Sequence, residues 1–287
     1  MADTAHSPAT PIAAGLLPAD RARQEAVRLL LQGAIYDPIT FRFLRDAGLQ
    51  EGMRVLDIGS GAGSVSLLIS GLVGPDGEVV GMDCSPEMID LATQRIRIKG
   101  RTNISFVQGD VSSVQPDGSF DAIVGRFILR ELSSREHALE RLWSLIRPSG
   151  LIALQEKVLA IPVTSMPPLP SVEQTRMWLD QARSRAGVEV QMGAKLASLF
   201  ASAGLPAPVI RMETPVGYGA DWCGFDYLAE TLRAAMPVIQ LYGIASEREI
   251  GIETLADRMR AEAARLNAVV MLTPCIGAFA TQSHQNP

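Results

Sequence analysis

The chain is poor in the residues that announce a metal centre, a disulfide framework or a nucleic-acid interface. Its 287 residues include only three cysteines, Cys84, Cys223 and Cys275. They lie too far apart in sequence for a zinc knuckle or a redox pair, which fits a reducing compartment. Histidines also number three, and His6 and His284 fall near the ends. No metal site is expected, and His137 is the one internal histidine available for proton transfer. Dense Lys/Arg runs are missing and the net charge is -5, which argues against a nucleic-acid footprint. No apolar run reaches the roughly 18 residues of a membrane span. Residues 1–20 lack a basic start followed by an apolar core, so a flexible tail is expected there and not a signal peptide. Neither an internal repeat nor a low-complexity block is present. What remains is an ordinary globular composition, 47% hydrophobic and 20% charged. A cytoplasmic protein is expected, large enough for one domain with a cap.

Helical spacing predicts an amphipathic helix over residues 21–34, with Ala26, Val27, Leu30 and Leu31 on one side. Gly33 is expected to loosen the chain, and Asp37-Pro38 to start a second helix ending near Ala47. Strands and helices then alternate. Strands are expected at 54–58, 78–82, 104–107, 120–124 and 151–154, with helices at 64–72, 87–99 and 134–146 between them. Pro148-Ser149-Gly150 reads as the break before the fifth strand. This rhythm predicts a doubly wound, mostly parallel α/β sheet with ligands at the carboxyl ends of its strands. After Val158 the rhythm changes, because Pro162, Pro167, Pro168 and Pro170 impose an extended crossing segment. Helices follow at 171–186, 196–203, 221–241 and 254–266, with strands at 209–216 and 268–272. The expected division is a tail at 1–20, N-terminal lid helices at 21–48, and a cofactor-binding core at 49–160. A cap insertion at 161–205 and a C-terminal completion of the sheet at 206–287 follow.

Within the core, the apolar run Val55-Leu56-Asp57-Ile58 ends in Gly59-Ser60-Gly61-Ala62-Gly63. Such a turn between strand and helix brings backbone close to a ligand and aims a helix N-terminus at it. A dinucleotide fingerprint needs Gly or Ala at its sixth position, where Ser64 stands. The Leu-Asp-Ile-Gly-x-Gly-x-Gly pattern instead resembles motif I of the class I S-adenosylmethionine-dependent methyltransferases. Asp83 in Gly-Met-Asp, Asp110 in Gln-Gly-Asp and the Arg147-Pro148-Ser149-Gly150 turn extend the resemblance over residues 53–156, although Ser149 departs from the usual Gly. It implies a seven-stranded mostly parallel sheet and S-adenosylmethionine as cofactor. Asp57 would lie under the turn, Asp83 on the ribose hydroxyls and Asp110 on the adenine amine. Gly59, Ser60, Gly61, Gly63, Cys84, Met88, Gly109 and Val111 complete the implied cradle, with Arg126, Tyr36 and Gln32 closing over it.

Acceptor chemistry is less legible. In the family a His-Leu pair often stands where this chain has Glu131-Leu132. Glu131 reads as a general base or as a surface ion-pair partner of Arg130 or Arg135. Glu156 is a second inward carboxylate, with a structural pairing to Arg126 as its other reading, and His137 is a third candidate. Phe127, Met177, Trp178, Tyr218, Trp222 and Phe225 are the expected pocket lining, several of them equally suited to core packing. The resemblance implies methyl transfer to an O, N or C atom of a small organic molecule. No nucleic-acid or membrane partner is expected, and a homo-oligomer stays open. A non-methylating cyclase and a cofactor-sensing scaffold are the alternatives the fold allows.

Overall fold

A computed structural model describes residues 19–111 and 119–282. Strands β1 (Arg54–Ile58), β2 (Glu78–Asp83), β3 (Ile104–Gln108), β4 (Phe120–Arg126) and β5 (Ile146–Lys157) are the parallel series. Strand β7 (Val209–Glu213) and strand β10 (Cys275–Thr281) complete a seven-stranded sheet in the order β3-β2-β1-β4-β5-β10-β7. Only β10 runs antiparallel to its neighbours. The order reverses between β1 and β4, which makes the ends of those strands the crevice where such sheets bind ligands.

Helices α2 (Ser64–Val73) and α3 (Pro86–Ile98) cover one face of the sheet, and α4 (Arg135–Ser144) and α6 (Leu196–Ser202) cover the other. A third apolar cluster joins α5 (Pro170–Arg185), α7 (Gly224–Leu241) and α9 (Ile252–Leu266) above the strand ends. A small sheet, β6 (Thr164–Met166), β9 (Val269–Met271) and β8 (Val216–Tyr218), braces this cap. A four-residue helix, α8 (Glu247–Ile250), precedes α9 and carries a capping box between Ser246 and Glu249.

Three sequence expectations are corrected. Residues 19–47 form one helix, α1 (Ala19–Ala47), and Pro38 lies in its interior. Pro38 withdraws one backbone donor, but contacts on both sides of it hold the helix together. Ile35, Tyr36 and Ile39 pack into the cap, while Phe43, Leu44 and Ala47 pack on the sheet. Gly33 therefore loosens nothing: a Cβ there would lie 2.8 Å from Ser64 Oγ, so it is the close crossing of α1 over α2. The fifth strand begins at Ile146 and not at Leu151, so residues 148–150 lie within β5 and not before it, with an irregular register against β4.

The last strand of the main sheet lies at 275–281, not 268–272. Residues 269–271 pair instead with β6 and β8. Strand β10 is hard to see in sequence because Gly277 interrupts it and small residues surround it. Its reason is packing, since a Cβ on Gly277 would lie 2.4 Å from the Phe43 ring of α1. Gly277→Val should therefore cost on the order of 1–3 kcal/mol by overpacking. A lowered urea midpoint with an unchanged slope is expected, and an unchanged midpoint would show that α1 does not seat on β10.

Candidate cofactor and acceptor site

The turn after β1 is built on three glycines in the left-handed region, Gly59 (φ 65°), Gly61 (φ 49°) and Gly63 (φ 75°). Two of them are also sterically required: a Cβ on Gly59 would lie 2.6 Å from Ile128, and one on Gly63 would lie 3.0 Å from Phe106. Backbone bonds from Ser60 N to the Met82 carbonyl (2.9 Å) and from Gly63 N to the Ser60 carbonyl (2.8 Å) set the curve. Asp83, at the end of β2, accepts from Gly61 N at 2.8 Å and from Ser85 N at 2.9 Å. Both of its oxygens are thus anchored by backbone donors, and a carboxylate so held still has lone-pair capacity beyond them. From α3, Arg95 donates to the Ala62 carbonyl and to Ser64 Oγ and so holds the turn from behind. Asp57 lies fully buried beneath it and accepts from Ser66 Oγ at 2.5 Å. Burial pushes the Asp57 carboxyl up to about 7, opposed by the Ser66 hydrogen bond and the charge of Arg126.

Helix α1 crosses above. Leu29 and Gly33 face the glycine turn. Gln32 and Tyr36, about one turn apart, face the ends of β4 and β5 instead. There Lys157, the last residue of β5, donates to Gln32 Oε1 at 3.0 Å and to the Tyr227 hydroxyl of α7. Its ammonium sits 4.5 Å from the ring centroid of Phe127, 4.8 Å from Tyr36 and 5.1 Å from Tyr227. Phe127 reaches this place through a left-handed backbone, φ 61°, which is strained for a side chain of its size. Its neighbour Ile128 meanwhile packs on Gly59, so one dipeptide touches both halves of the site.

A family model described as a methyltransferase domain matches residues 49–204. This chain belongs to the S-adenosylmethionine-dependent methyltransferases. A ubiquinone/menaquinone biosynthesis C-methyltransferase, UbiE of Yersinia enterocolitica, is 36% identical over 118 residues. That match takes in 40% of this chain and 47% of the relative, so the chain spans about half the length of the curated relatives it matches. Among solved structures, the YcgJ protein from Bacillus subtilis is similar at TM-score 0.54 and 20% identity, covering 85% of this chain and 98% of that one. A SAM-dependent methyltransferase from Aquifex aeolicus follows at TM-score 0.51 and 19% identity, covering 93% and 100%. These two likenesses concern the fold.

Measured against a methyltransferase site, the residues singled out in the sequence fall into two groups. Gly59, Ser60, Gly61, Gly63 and Asp83 come together at the turn, and Met88, in the first turn of α3, is buried beside them. The Cys84 and Asp83 carbonyls accept from Gln108 Nε2 and from Gly109 N, which ties β2 to the loop after β3. Asp110 is exposed on that loop, and Val111 is buried next to it.

The others are placed differently. Arg126 is buried and bonds to Asp37 (2.8 Å) and Thr40 (2.9 Å) of α1, so its charge is spent on the helix. Tyr36 donates to the Thr273 carbonyl at 2.9 Å, and Gln32 turns to Lys157 and Arg28, not to the glycine turn. Glu156 accepts from Leu129 N at 2.6 Å, which makes it the anchor of the 3-10 turn Leu129–Glu131 and not a partner of Arg126. Glu131 is 54% exposed and 3.5 Å from Arg130, and His137 is 70% exposed beside Glu140. Trp178 and Phe225 are core residues of the cap, Trp222 packs on Phe225 and on Gly217, and Met177 and Tyr218 point outward. Of the expected pocket residues, Phe127 alone lies against Lys157.

Lys157, Tyr227, Arg95 and Asp37 were not anticipated. Strand alternation was the available signal for Lys157. Residues 155 and 157 share one face of β5 and Glu156 takes the other. Asp57 also carries a measurable signature. Unfolded, it releases its proton near pH 4, whereas burial retains that proton in the folded chain to about 7. The stability from this extra bound proton is therefore greatest below pH 4 and declines as pH rises through about 7. Asp57→Asn cannot lose that proton, so wild type should lose stability relative to the variant across this window. Parallel urea midpoints at pH 4 and pH 7 would contradict the assignment.

Proposed function

We propose that this methyltransferase transfers the methyl group of S-adenosylmethionine to a carbon or oxygen of a small organic molecule bearing a hydroxyl. The cofactor supplies an electrophilic methyl carbon on a sulfonium. The protein's part is to hold donor and acceptor in line and keep water away. The residues at the glycine turn fit this cofactor. Ser60 Oγ is buried with no hydrogen-bond partner among the described residues, so a polar group of the ligand can satisfy it. Asp83 keeps acceptor positions for the ribose hydroxyls, and the exposed Asp110 is proposed for the adenine amine. Gly59, Gly61 and Gly63 give the close backbone approach, Met88 and Val111 the apolar walls, and Cys84 and Gly109 the backbone of the adenosine side.

The observation that carries the acceptor half is its charge. Arg28, Arg130, Lys157 and Arg183 all act electrostatically on one another or on Tyr227 at the ends of β4 and β5. Glu25, Glu131 and Asp180 pair the three arginines, which leaves Lys157 as the cation with an open donor for an oxygen acceptor or its conjugate anion. The curated relatives are named for C-methylation in quinone biosynthesis, which supports a carbon next to a ring hydroxyl. A small molecule is proposed as partner, since a net charge of -5 offers little to a phosphate backbone. Among the described residues no helix is long and apolar enough to cross a membrane. The family and these relatives favour methyl transfer over cyclisation or sensing.

Incubation with methyl-labelled cofactor and a panel of phenols, quinols, amines and carboxylic acids should label phenols or quinols first. Transfer only to amines would sink the acceptor assignment, and binding without transfer across the panel would favour a sensor. Separately, Asp83→Ala should weaken cofactor binding at least tenfold by calorimetry, about 1.4 kcal/mol. An unchanged Kd would remove Asp83 from the site.

A further inference from the structure

We propose that Lys157 and Tyr227 are the proton-accepting pair of the acceptor site, and that the acceptor offers them an ionisable hydroxyl of phenol, quinol or enol type. This rests on the methyl-transfer reading above and gives it a base, which neither Glu131 nor His137 supplies from its exposed position.

The geometry around Lys157 is unusual for a lysine. Three aromatic rings surround its ammonium, and its two hydrogen-bond partners, Gln32 Oε1 and Tyr227 Oη, carry no fixed charge. Among the described residues no carboxylate comes within 4.0 Å of it, whereas the cations nearby each have one. Arg28 has Glu25, Arg130 has Glu131 and Arg183 has Asp180. An ammonium has three N–H donors, and two are used here. The third has no acceptor among the described residues. A half-buried charge in this state is stabilised by the faces of the rings but lacks an anion. Either the Tyr227 phenolate or an oxyanion of the ligand completes it. The pair also adjoins the donor side, because the Phe127 ring packs on Lys157 while its neighbour Ile128 packs on Gly59 of the turn.

The titration behaviour agrees. Burial pushes the Lys157 ammonium down to about 8. Burial would raise Tyr227, but the charges of Lys157 and Arg28 and the Lys157 hydrogen bond carry it below its ordinary range. The surrounding groups reinforce this. Arg28 and Tyr36 of α1, Arg130 and Glu131 of the 3-10 turn, Glu156 of β5, Arg183 of α5 and Cys275 of β10 all act on this cluster. Burial pushes Tyr36 well up and Cys275 to about 11, so both stay protonated and neither competes as base.

The step is a proton transfer. The acceptor O–H bond breaks and a new O–H bond forms on the Tyr227 phenolate. The electron pair stays on the acceptor, on its oxygen or, by conjugation, on the adjacent ring carbon. Lys157 keeps its proton throughout and turns its open donor to the new oxyanion. The proton leaves Tyr227 for solvent after turnover.

Ultraviolet titration of tyrosinate in the full-length chain tests the pair without turnover. Of the four tyrosines, Tyr36, Tyr218, Tyr227 and Tyr242, one should ionise clearly before the rest. Tyr227→Phe should abolish that early step, and Lys157→Met should move it upward. Four tyrosines ionising together in wild type would overturn the pair, and this measurement needs no variant to fold. As a ligand probe, 4-nitrophenol with S-adenosylhomocysteine present should bind to wild type as its phenolate. Its apparent pKa should fall by about one unit, a tenfold preference for the anion. An equal fall in Lys157→Met would overturn the role of Lys157. Calorimetry with S-adenosylmethionine should show unchanged affinity in both variants, and a large loss would assign these residues to the cofactor instead. Wild type that binds no cofactor would defeat the methyl-transfer reading itself, whereas intact cofactor binding with four ordinary tyrosines defeats only the pair.

Discussion

The ion pair between the buried Arg126 and the half-buried Asp37 is the constraint on which the rest of the site depends. A guanidinium taken out of water at the end of β4 must be met by a carboxylate and further acceptors, and Asp37 and Thr40 provide them from α1. Asp37 immediately precedes Pro38, where the helix has already given up one backbone bond. The pair therefore holds α1 across the strand ends at the point where it would otherwise break. It explains why one continuous helix bridges the sheet and the cap, with Phe43 seated on Gly277 at one end and Tyr36 hydrogen-bonded to Thr273 further back.

Once α1 is held there, its two faces divide the labour. One face brings Leu29 and Gly33 down on the glycine turn, and Gly33 sets how closely the helix approaches Ser64. The other brings Gln32 and Tyr36 to Lys157, where Phe127 and Tyr227 close the ring of aromatics. The glycine turn and the Lys157 cluster thus share a single wall. The strained backbone at Phe127 is the local cost of letting two consecutive side chains, Phe127 and Ile128, serve both sides.

Burial also assigns the carboxylates their parts. Asp57 and Glu156 are both pushed up to about 7, yet each is tied to an internal donor, Ser66 and the Leu129 amide. Raised pKa values therefore accompany structural hydrogen bonds here, whereas Tyr227 is shifted the other way by the cations beside it. Glu131 is placed differently: its position after β4 suggested a base or an ion-pair partner, and its side chain is more than half exposed beside Arg130.

Much of the donor half was legible in the residues because its determinants are local. Alternating strands and helices, a glycine turn that backbone geometry requires, and acidic residues at strand ends are short-range patterns, and they led to the sheet and the cofactor. The Lys157 cluster was not, because its members come from α1, β4, β5 and α7, up to 195 residues apart, and nothing local distinguishes Lys157 or Tyr227 from ordinary strand and helix residues. The same holds for β10, whose Gly277 makes sense only once Phe43 lies on it. By itself the sequence determined the existence of the five parallel strands, in chain order, and the glycine turn, since those follow from periodicity and dihedral limits. Tertiary structure alone decided which faces of α1 and of β5 meet around Lys157, because facing is a property of packing between distant segments.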